Sequence, residues 1–125
     1  MNSKEIGDGA VGAAIHHYLR NAYEVCLPIG DKRHYDLIIE KRNRLQRVQV
    51  KFAGLSKKKN RCLAGLRITG GNQSYNYAKK YANNAFDIIF IHTARGENYE
   101  IPWKNLNQRS ELTIDSGKFK KYLKA

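Results

Sequence analysis

The sequence lacks any apolar run approaching the ~20 residues that span a bilayer. No charged leader followed by an apolar stretch and a small-residue cleavage site opens it either. These absences argue against a membrane partner and make a soluble, intracellular, cytoplasmic protein the expectation. Cysteine is scarce: Cys26 and Cys62 stand alone, without the CxxC or Cys/His spacing of a zinc site, so two reduced, partly buried thiols are expected. His16 and His17 are adjacent, which on a helix points them about 100° apart and excludes joint grip of one metal. Acidic residues are the telling shortage. Against 23 Lys+Arg stand only 11 Asp+Glu, for a formal charge of +12 and a pI near 9.9. That excess exceeds what folding or solubility requires, and a polyanion is the natural partner.

With 125 residues and no internal repeat, linker or low-complexity tract, residues 1–125 are expected to form a single domain. Residues 3–22 read as a helix, with Val11, Ala14, Ile15, Tyr18, Leu19 and Ala22 on one stripe. Residues 23–29 suit a strand stopped by Pro28 and Gly30. Residues 62–69 suit another, residues 74–85 a helix with Ala78, Tyr81, Ala82 and Ala85 inward, and residues 86–92 a strand buried on both faces. Residues 99–103 suggest a strand at a sheet edge, because Pro102 lacks the donor a central strand needs. A short basic helix is expected over residues 117–125.

The most informative stretch is a pair of strand-like runs, residues 35–40 and 45–52, separated by the polar Lys41-Arg42-Asn43-Arg44. A turn centred between Arg42 and Asn43 pairs Glu40 with Leu45, Ile38 with Arg47 and Asp36 with Gln49. Alternation sends Val48, Val50 and Phe52 to one face and Arg47, Gln49 and Lys51 to the other. Asp36, Gln49 and Lys51 then converge, and a one-residue slip would separate them. Phosphodiester hydrolysis needs a metal to polarise the phosphate and a cation near the developing charge. Asp36, the Gln49 side-chain carbonyl and the backbone carbonyl of Val50 offer oxygen ligands of the kind Mg²⁺ prefers, and Lys51 is placed to meet water or phosphate. Bland readings compete: Asp36 capping a strand after a turn, and Gln49 and Lys51 as solvated strand positions.

The stretch Ile29-Gly30-Asp31, then Tyr35-Asp36-Leu37-Ile38 and Arg47-Val48-Gln49-Val50-Lys51, resembles the PD-(D/E)XK nucleases. It is most similar to the branch containing a group I intron-encoded homing endonuclease, where glutamine precedes the lysine. The likeness runs from Lys4 to about Phe52, and more loosely through Tyr99-Glu100-Ile101-Pro102. It implies an α/β, restriction-endonuclease-like fold: a mixed central β-sheet flanked by α-helices. It implies a sequence-specific endonuclease acting on double-stranded DNA with Mg²⁺, or Mn²⁺ as substitute, as a homodimer or homotetramer. In the relatives the aspartate binds metal, the glutamine helps to ligate or order it, and the lysine acts near the nucleophile; these roles fall on Asp36, Gln49 and Lys51.

One departure matters. Relatives commonly carry a first-helix glutamate in a Gly-Asp-x-x-Glu pattern, where this chain reads Gly7-Asp8-Gly9-Ala10-Val11. Three accounts stay open: replacement of the missing carboxylate by Asp8 or Glu5, a degenerate nuclease that still binds DNA, or a deliberately introduced disabling change. Lys57, Lys58, Lys59 and Arg61 follow the catalytic strand and suit phosphate contacts, a surface that Arg67, Lys79, Lys80, Lys118, Lys120 and Lys121 would widen. Tyr75, Tyr77 and Tyr81 suit base stacking, although Tyr81 fits the core better, as does Trp103. A Holliday junction resolvase is the nearest enzymatic rival, and a non-catalytic DNA-binding module or a basic RNA-binding protein the rivals of another class.

Overall fold

The computed structural model describes residues 1–30, 32–68, 79–107 and 110–125. Helix α1 spans Ser3–Arg20 and starts on a capping box. Asn2 Oδ1 accepts from the Glu5 N–H at 2.9 Å, and Glu5 Oε1 accepts from the Asn2 N–H at 3.4 Å. The helix stops two residues before the expected end. Asn21 Nδ2 donates to the His17 carbonyl at 2.8 Å, and Ala22 turns left-handed with φ of 65°. Its buried stripe is Ala10, Ala14 and Tyr18, with Val11 and Ile15 at the margin and Leu19 58% exposed. The expected stripe is therefore rotated by about one residue, because two alanines bring the helix close to the sheet. Tyr18 closes the contact, donating its hydroxyl to Glu100 Oε2 at 2.6 Å.

Ten strands follow: β1 (Glu24–Cys26), β2 (Leu37–Lys41), β3 (Arg44–Ser56), β4 (Arg61–Gly65), β5 (Arg67–Ile68), β6 (Lys79–Lys80), β7 (Ile88–Thr93), β8 (Asn98–Pro102), β9 (Glu111–Thr113) and β10 (Leu123–Lys124). The main sheet runs β1-β2-β3-β7-β8-β10, with β4 and β9 branching from β3. Its β3–β7 pairing is parallel and the rest antiparallel, giving the mixed α/β sheet of a restriction-endonuclease-like fold. Strand β3 pairs with β2 over its first residues, with β7 over Val48 to Ala53 and with β4 from Gly54 onward.

The β2–β3 hairpin closes on Arg42 and Asn43, with φ of 54° and 63°, the doubly left-handed turn that matches strand twist. The ladder pairs Glu40 with Leu45, Ile38 with Arg47 and Leu37 with Val48, as the turn position requires. On the α1 face of the sheet, Leu37, Ile39, Val48, Val50, Ile88 and Phe90 pack against Ala10, Ala14 and Tyr18. The opposite face gathers Ala53, Ile89, Ile91 and Ile101 with Phe86, Trp103, Leu112 and Ile114. Strand β7 is buried on both faces, as its apolar run requires.

Four local expectations are corrected. Of the helix expected over residues 74–85, residues 74–78, including Tyr75, Tyr77 and Ala78, lie outside the described residues. Lys79 and Lys80 form a strand against β5, and residues 81–85 are not helical, so cross-strand pairing overrides the local spacing. Tyr81 is nonetheless buried. The basic C-terminal helix reduces to one 3-10 turn, Lys120–Tyr122, after which β10 pairs with Tyr99 and Asn98 of β8. Strand β8 is thus covered at that end, and Pro102 sits past the reach of β10 where a missing donor is tolerated. Cys62 is buried, but Cys26 is exposed on the edge strand β1. Among the described residues no helix is long and apolar enough to cross a membrane.

The close approach of α1 makes a size prediction. Ala14 has no exposed surface, so Ala14→Leu should overpack the helix–sheet contact and cost about 1–3 kcal/mol, read as a lower urea midpoint. An unchanged midpoint would show that the helix can lift away freely.

Candidate active site

Asp36 stands just before β2, where the ladder becomes irregular. Its N–H donates to the Val48 carbonyl at 2.8 Å, although Leu37 is the ladder partner of Val48. Two consecutive residues thus meet one, the arrangement of a β-bulge, which re-aims a side chain. The expected Asp36–Gln49 pair is accordingly not a ladder pair. Instead Asp36 Oδ2 reaches one residue further along β3 and accepts from the Val50 N–H at 2.8 Å.

Gln49 and Lys51 leave β3 on the face away from α1, beside Ile89 and Ile91 of β7. Gln49 is buried, and its Nε2 donates to the Val50 carbonyl at 3.3 Å. Lys51 Nζ lies over the Tyr81 ring, 5.2 Å from its centroid, and within 3.5 Å of the Arg67 carbonyl. Tyr81 is held edge-on by Phe86, Trp103 and His34 at 5.1, 6.1 and 5.6 Å. The lysine therefore rests on a packed aromatic platform.

Burial pushes the Asp36 carboxyl above its usual range, against the opposing pull of the Val50 N–H and the nearby Lys51 charge. Asp87 provides an internal contrast. It stands just before β7 and also caps a β3 amide, accepting from the Arg47 N–H at 2.8 Å. Burial raises this carboxyl as well, but the Arg47 amide and guanidinium outweigh it and leave the pKa lowered. Asp36 lacks such an ion pair among the described residues.

The remaining sequence-selected residues are scattered. Val11 packs against the cluster containing Leu37 and Val50, the residues on either side of the Asp36 contact. Asp8 is exposed one turn earlier, and Glu5 accepts from the Asn2 N–H in the α1 cap. Lys57, Lys58 and Lys59 are exposed in the β3–β4 turn and Arg61 is exposed at the start of β4. Arg95 braces this turn, bonding Asp115 Oδ2 at 2.7 Å and Asn60 Oδ1 at 3.0 Å, a fixture that nothing in the local sequence announces. Arg67 is half-buried in β5 and Lys80 exposed in β6; the Lys79 side chain lies outside the described residues.

A cavity of about 670 Å³ lies elsewhere, lined by Arg44, Arg47, Asp87, Glu100 and Lys104 among others, and holds none of Asp36, Gln49 and Lys51. Its carboxylates are already engaged, Asp87 by Arg47 and Glu100 by Tyr18 and Lys124. It is the weaker candidate for metal or phosphate chemistry. Among the described residues no three His, Cys, Asp or Glu side chains converge as a metal cluster. Oxygen donors at the bulge remain: Asp36, the Gln49 carbonyl and the Val50 carbonyl. One carboxylate with neutral oxygens is sufficient for a Mg²⁺ that also takes phosphate oxygens, so these residues fit that ion.

A mixed sheet backed by one helix, with an aspartate at a bulge and a Gln-x-Lys strand beside it, is the architecture of a nuclease core. A family model described as PD-(D/E)XK endonuclease matches residues 1–120, and the chain belongs to that family. It is also similar to the solved structure of a bacterial homing endonuclease, I-Ssp6803I. The identity is 26%, the TM-score 0.88, and the match covers 98% of this chain and 89% of that one. No curated protein matches.

The net upward push of burial on Asp36 sets a pH test. Its folded carboxyl titrates above the unfolded value. The folded state therefore holds more protons between the two values, and stability falls as pH rises through that window. Asp36→Asn keeps an acceptor for the Val50 N–H and removes the charge, so it should melt higher than the native chain at pH 7. The gap should close toward pH ~3, where both carboxyl states are protonated. A less stable Asn variant at pH 7 would show that the charged form is welcome.

Proposed function

We propose that residues 1–125 form one nuclease domain that cuts double-stranded DNA sequence-specifically, in the manner of a homing endonuclease and with Mg²⁺. The observation that carries this reading is the Asp36 carboxylate: half-buried and unneutralised by an ion pair among the described residues, beside the ammonium of Lys51. A carboxylate whose ionised form is disfavoured by burial is the kind of group retained for chemistry.

Asp36, Gln49 and the Val50 carbonyl would hold the ion, with Mn²⁺ a substitute on the same oxygens. Bound there, Mg²⁺ would polarise the phosphodiester and lower the pKa of an attacking water. The Val50 N–H fixes one Asp36 oxygen, leaving the other to face a ligand. Gln49, buried beside it, sets the donor geometry. Lys51, steadied by Tyr81 and the Arg67 carbonyl, places positive charge where the phosphorane-like charge develops. Lys57, Lys58, Lys59 and Arg61 hold the duplex backbone on the braced β3–β4 turn. Cutting both strands requires two sites, hence a homodimer or homotetramer working inside the cell.

Val11 in place of the helix glutamate weakens the metal site, and this specific feature favours a second reading, a DNA-binding module that has lost cleavage. A plasmid and branched-DNA cleavage assay in Mg²⁺ or Mn²⁺, with EDTA as control, separates them. The native chain should cut slowly and Val11→Glu at least about tenfold faster. Asp36→Ala and Lys51→Ala should each lose about 10²-fold or more, the scale of removing a principal electrostatic contributor. Binding without cleavage by both the native chain and Val11→Glu would transfer the conclusion to the non-catalytic module. Preference for branched over linear DNA would favour a resolvase.

A further inference from the structure

We propose that Arg67 and Lys80 form a clamp for one backbone phosphate of the DNA strand presented to Lys51. The proposal rests on the nuclease reading only for the identity of that strand.

Three observations meet at the β5–β6 pair. Arg67 and Lys80 are directly opposite in its register. Like charges facing one another across a ladder destabilise it, and here the ladder is two residue pairs long, too short to absorb the penalty by its own bonding. Next, Arg67 Nε is a buried nitrogen without a hydrogen-bond partner among the described residues. A buried N–H left unpaired costs about 1–3 kcal/mol, and persistence of such a group in a native fold calls for a reason. Finally, the backbones of both residues adjoin the site. The Arg67 carbonyl lies 3.5 Å from Lys51 Nζ, and Lys80 directly precedes Tyr81, the ring beneath that ammonium.

The local charge balance points the same way. Lys51, Arg67 and Lys80 take part in none of the ion pairs among the described residues, which use Arg47, Arg95 and Lys124 instead. Lys51 does act on the Asp36 carboxylate through its charge, without forming an ion pair with it. A phosphate between Arg67 and Lys80 would relieve their repulsion and add the missing negative charge. Guanidinium suits this task because its planar donors match phosphate oxygens. The clamp is destabilising when empty and stabilising when filled, which separates it from a purely structural pair.

The test uses the full chain and a labelled duplex in EDTA, so that binding is read without cleavage. Affinity is measured by fluorescence anisotropy from 50 to 300 mM salt for Arg67→Gln, Lys80→Gln, Arg67→Lys and the control Arg20→Gln. Arg20 ends α1 beside the hairpin tip, where Lys41 bonds Asn21, at the far end of β2 from Asp36. Arg67→Gln and Lys80→Gln should each weaken binding about 5- to 20-fold and lower the salt slope by about one, as loss of one phosphate contact does. Arg67→Lys should recover part of the affinity, and Arg20→Gln should change neither quantity. Without DNA, Lys80→Gln should melt no lower than the native chain. Unchanged affinity and salt slope in both Gln variants, or a Lys80→Gln protein that melts lower without DNA, would overturn the clamp. These readouts are independent of the cleavage assay: lowered slopes without cleavage leave the clamp standing and reject the nuclease reading, while cleavage with unchanged slopes does the reverse.

Discussion

The register of β2 against β3 governs what the rest of the molecule can do with its polar residues. A turn whose two central residues, Arg42 and Asn43, both adopt positive φ fixes that register from one end. Leu37 and Ile39 then fall opposite Val48 and Gln46, and the apolar pair faces Ala10 and Ala14 of α1. A slip by one residue would turn Leu37 and Ile39 away from the helix and expose two fully buried side chains, a penalty of about 3–6 kcal/mol. The same register delivers Asp36 to the middle of β3. Strand β3 continues past β2 to pair with β7 and then β4, so one chain segment connects the hairpin, the buried parallel strand and the basic turn.

Asp36 and Asp87 show how one local device serves two ends. Each precedes a strand and accepts a β3 amide N–H, so each fixes a neighbour's register. Asp87 does so in partial exposure and is neutralised by Arg47, at little cost to the fold. Asp36 does so in a more buried place with a raised pKa, and its remaining oxygen is not needed for the register. The structural reading of Asp36 as a strand cap is thus correct as far as it goes. It accounts for one oxygen and leaves unexplained why the charge is placed where burial opposes it.

How much of this was legible in the sequence depended on whether a local rule met a competitor. The hairpin register was readable because turn length and alternation agree, and β7 because its apolar run is too continuous for an exposed strand. The bulge at Asp36 was not: alternation alone pairs Asp36 with Gln49, and nothing in Tyr35-Asp36-Leu37 signals that the carboxylate will reach the Val50 amide instead. The α1 stripe was misplaced by one residue because Ala10 contributes little hydrophobicity yet permits the closest approach. Lys79 and Lys80 fitted a helix locally, but pairing with Arg67 and Ile68 decided their state. Leu123 and Lys124 were likewise drawn into a strand by the open edge of β8, which is a nonlocal fact. The Arg67–Lys80 juxtaposition follows from that same pairing and was invisible for the same reason.

Charge ties these pieces together. The chain carries +12, but evenly spread cations would explain only loose association with a polyanion. What the fold adds is a shared path: β3 carries Lys51, turns at Lys57, Lys58 and Lys59, and returns through Arg61 toward Arg67, whose carbonyl lies beside Lys51 Nζ. On the proposed reading, the scarcity of carboxylates at the site and the surplus of cations around it are complementary. A site holding two or three acidic groups would retain metal without DNA but would repel the phosphate; a site with Asp36 alone leaves the phosphate itself to complete the neutralisation. Val11 bears on that balance, since the position packs against the cluster containing Leu37 and Val50 and contributes no charge.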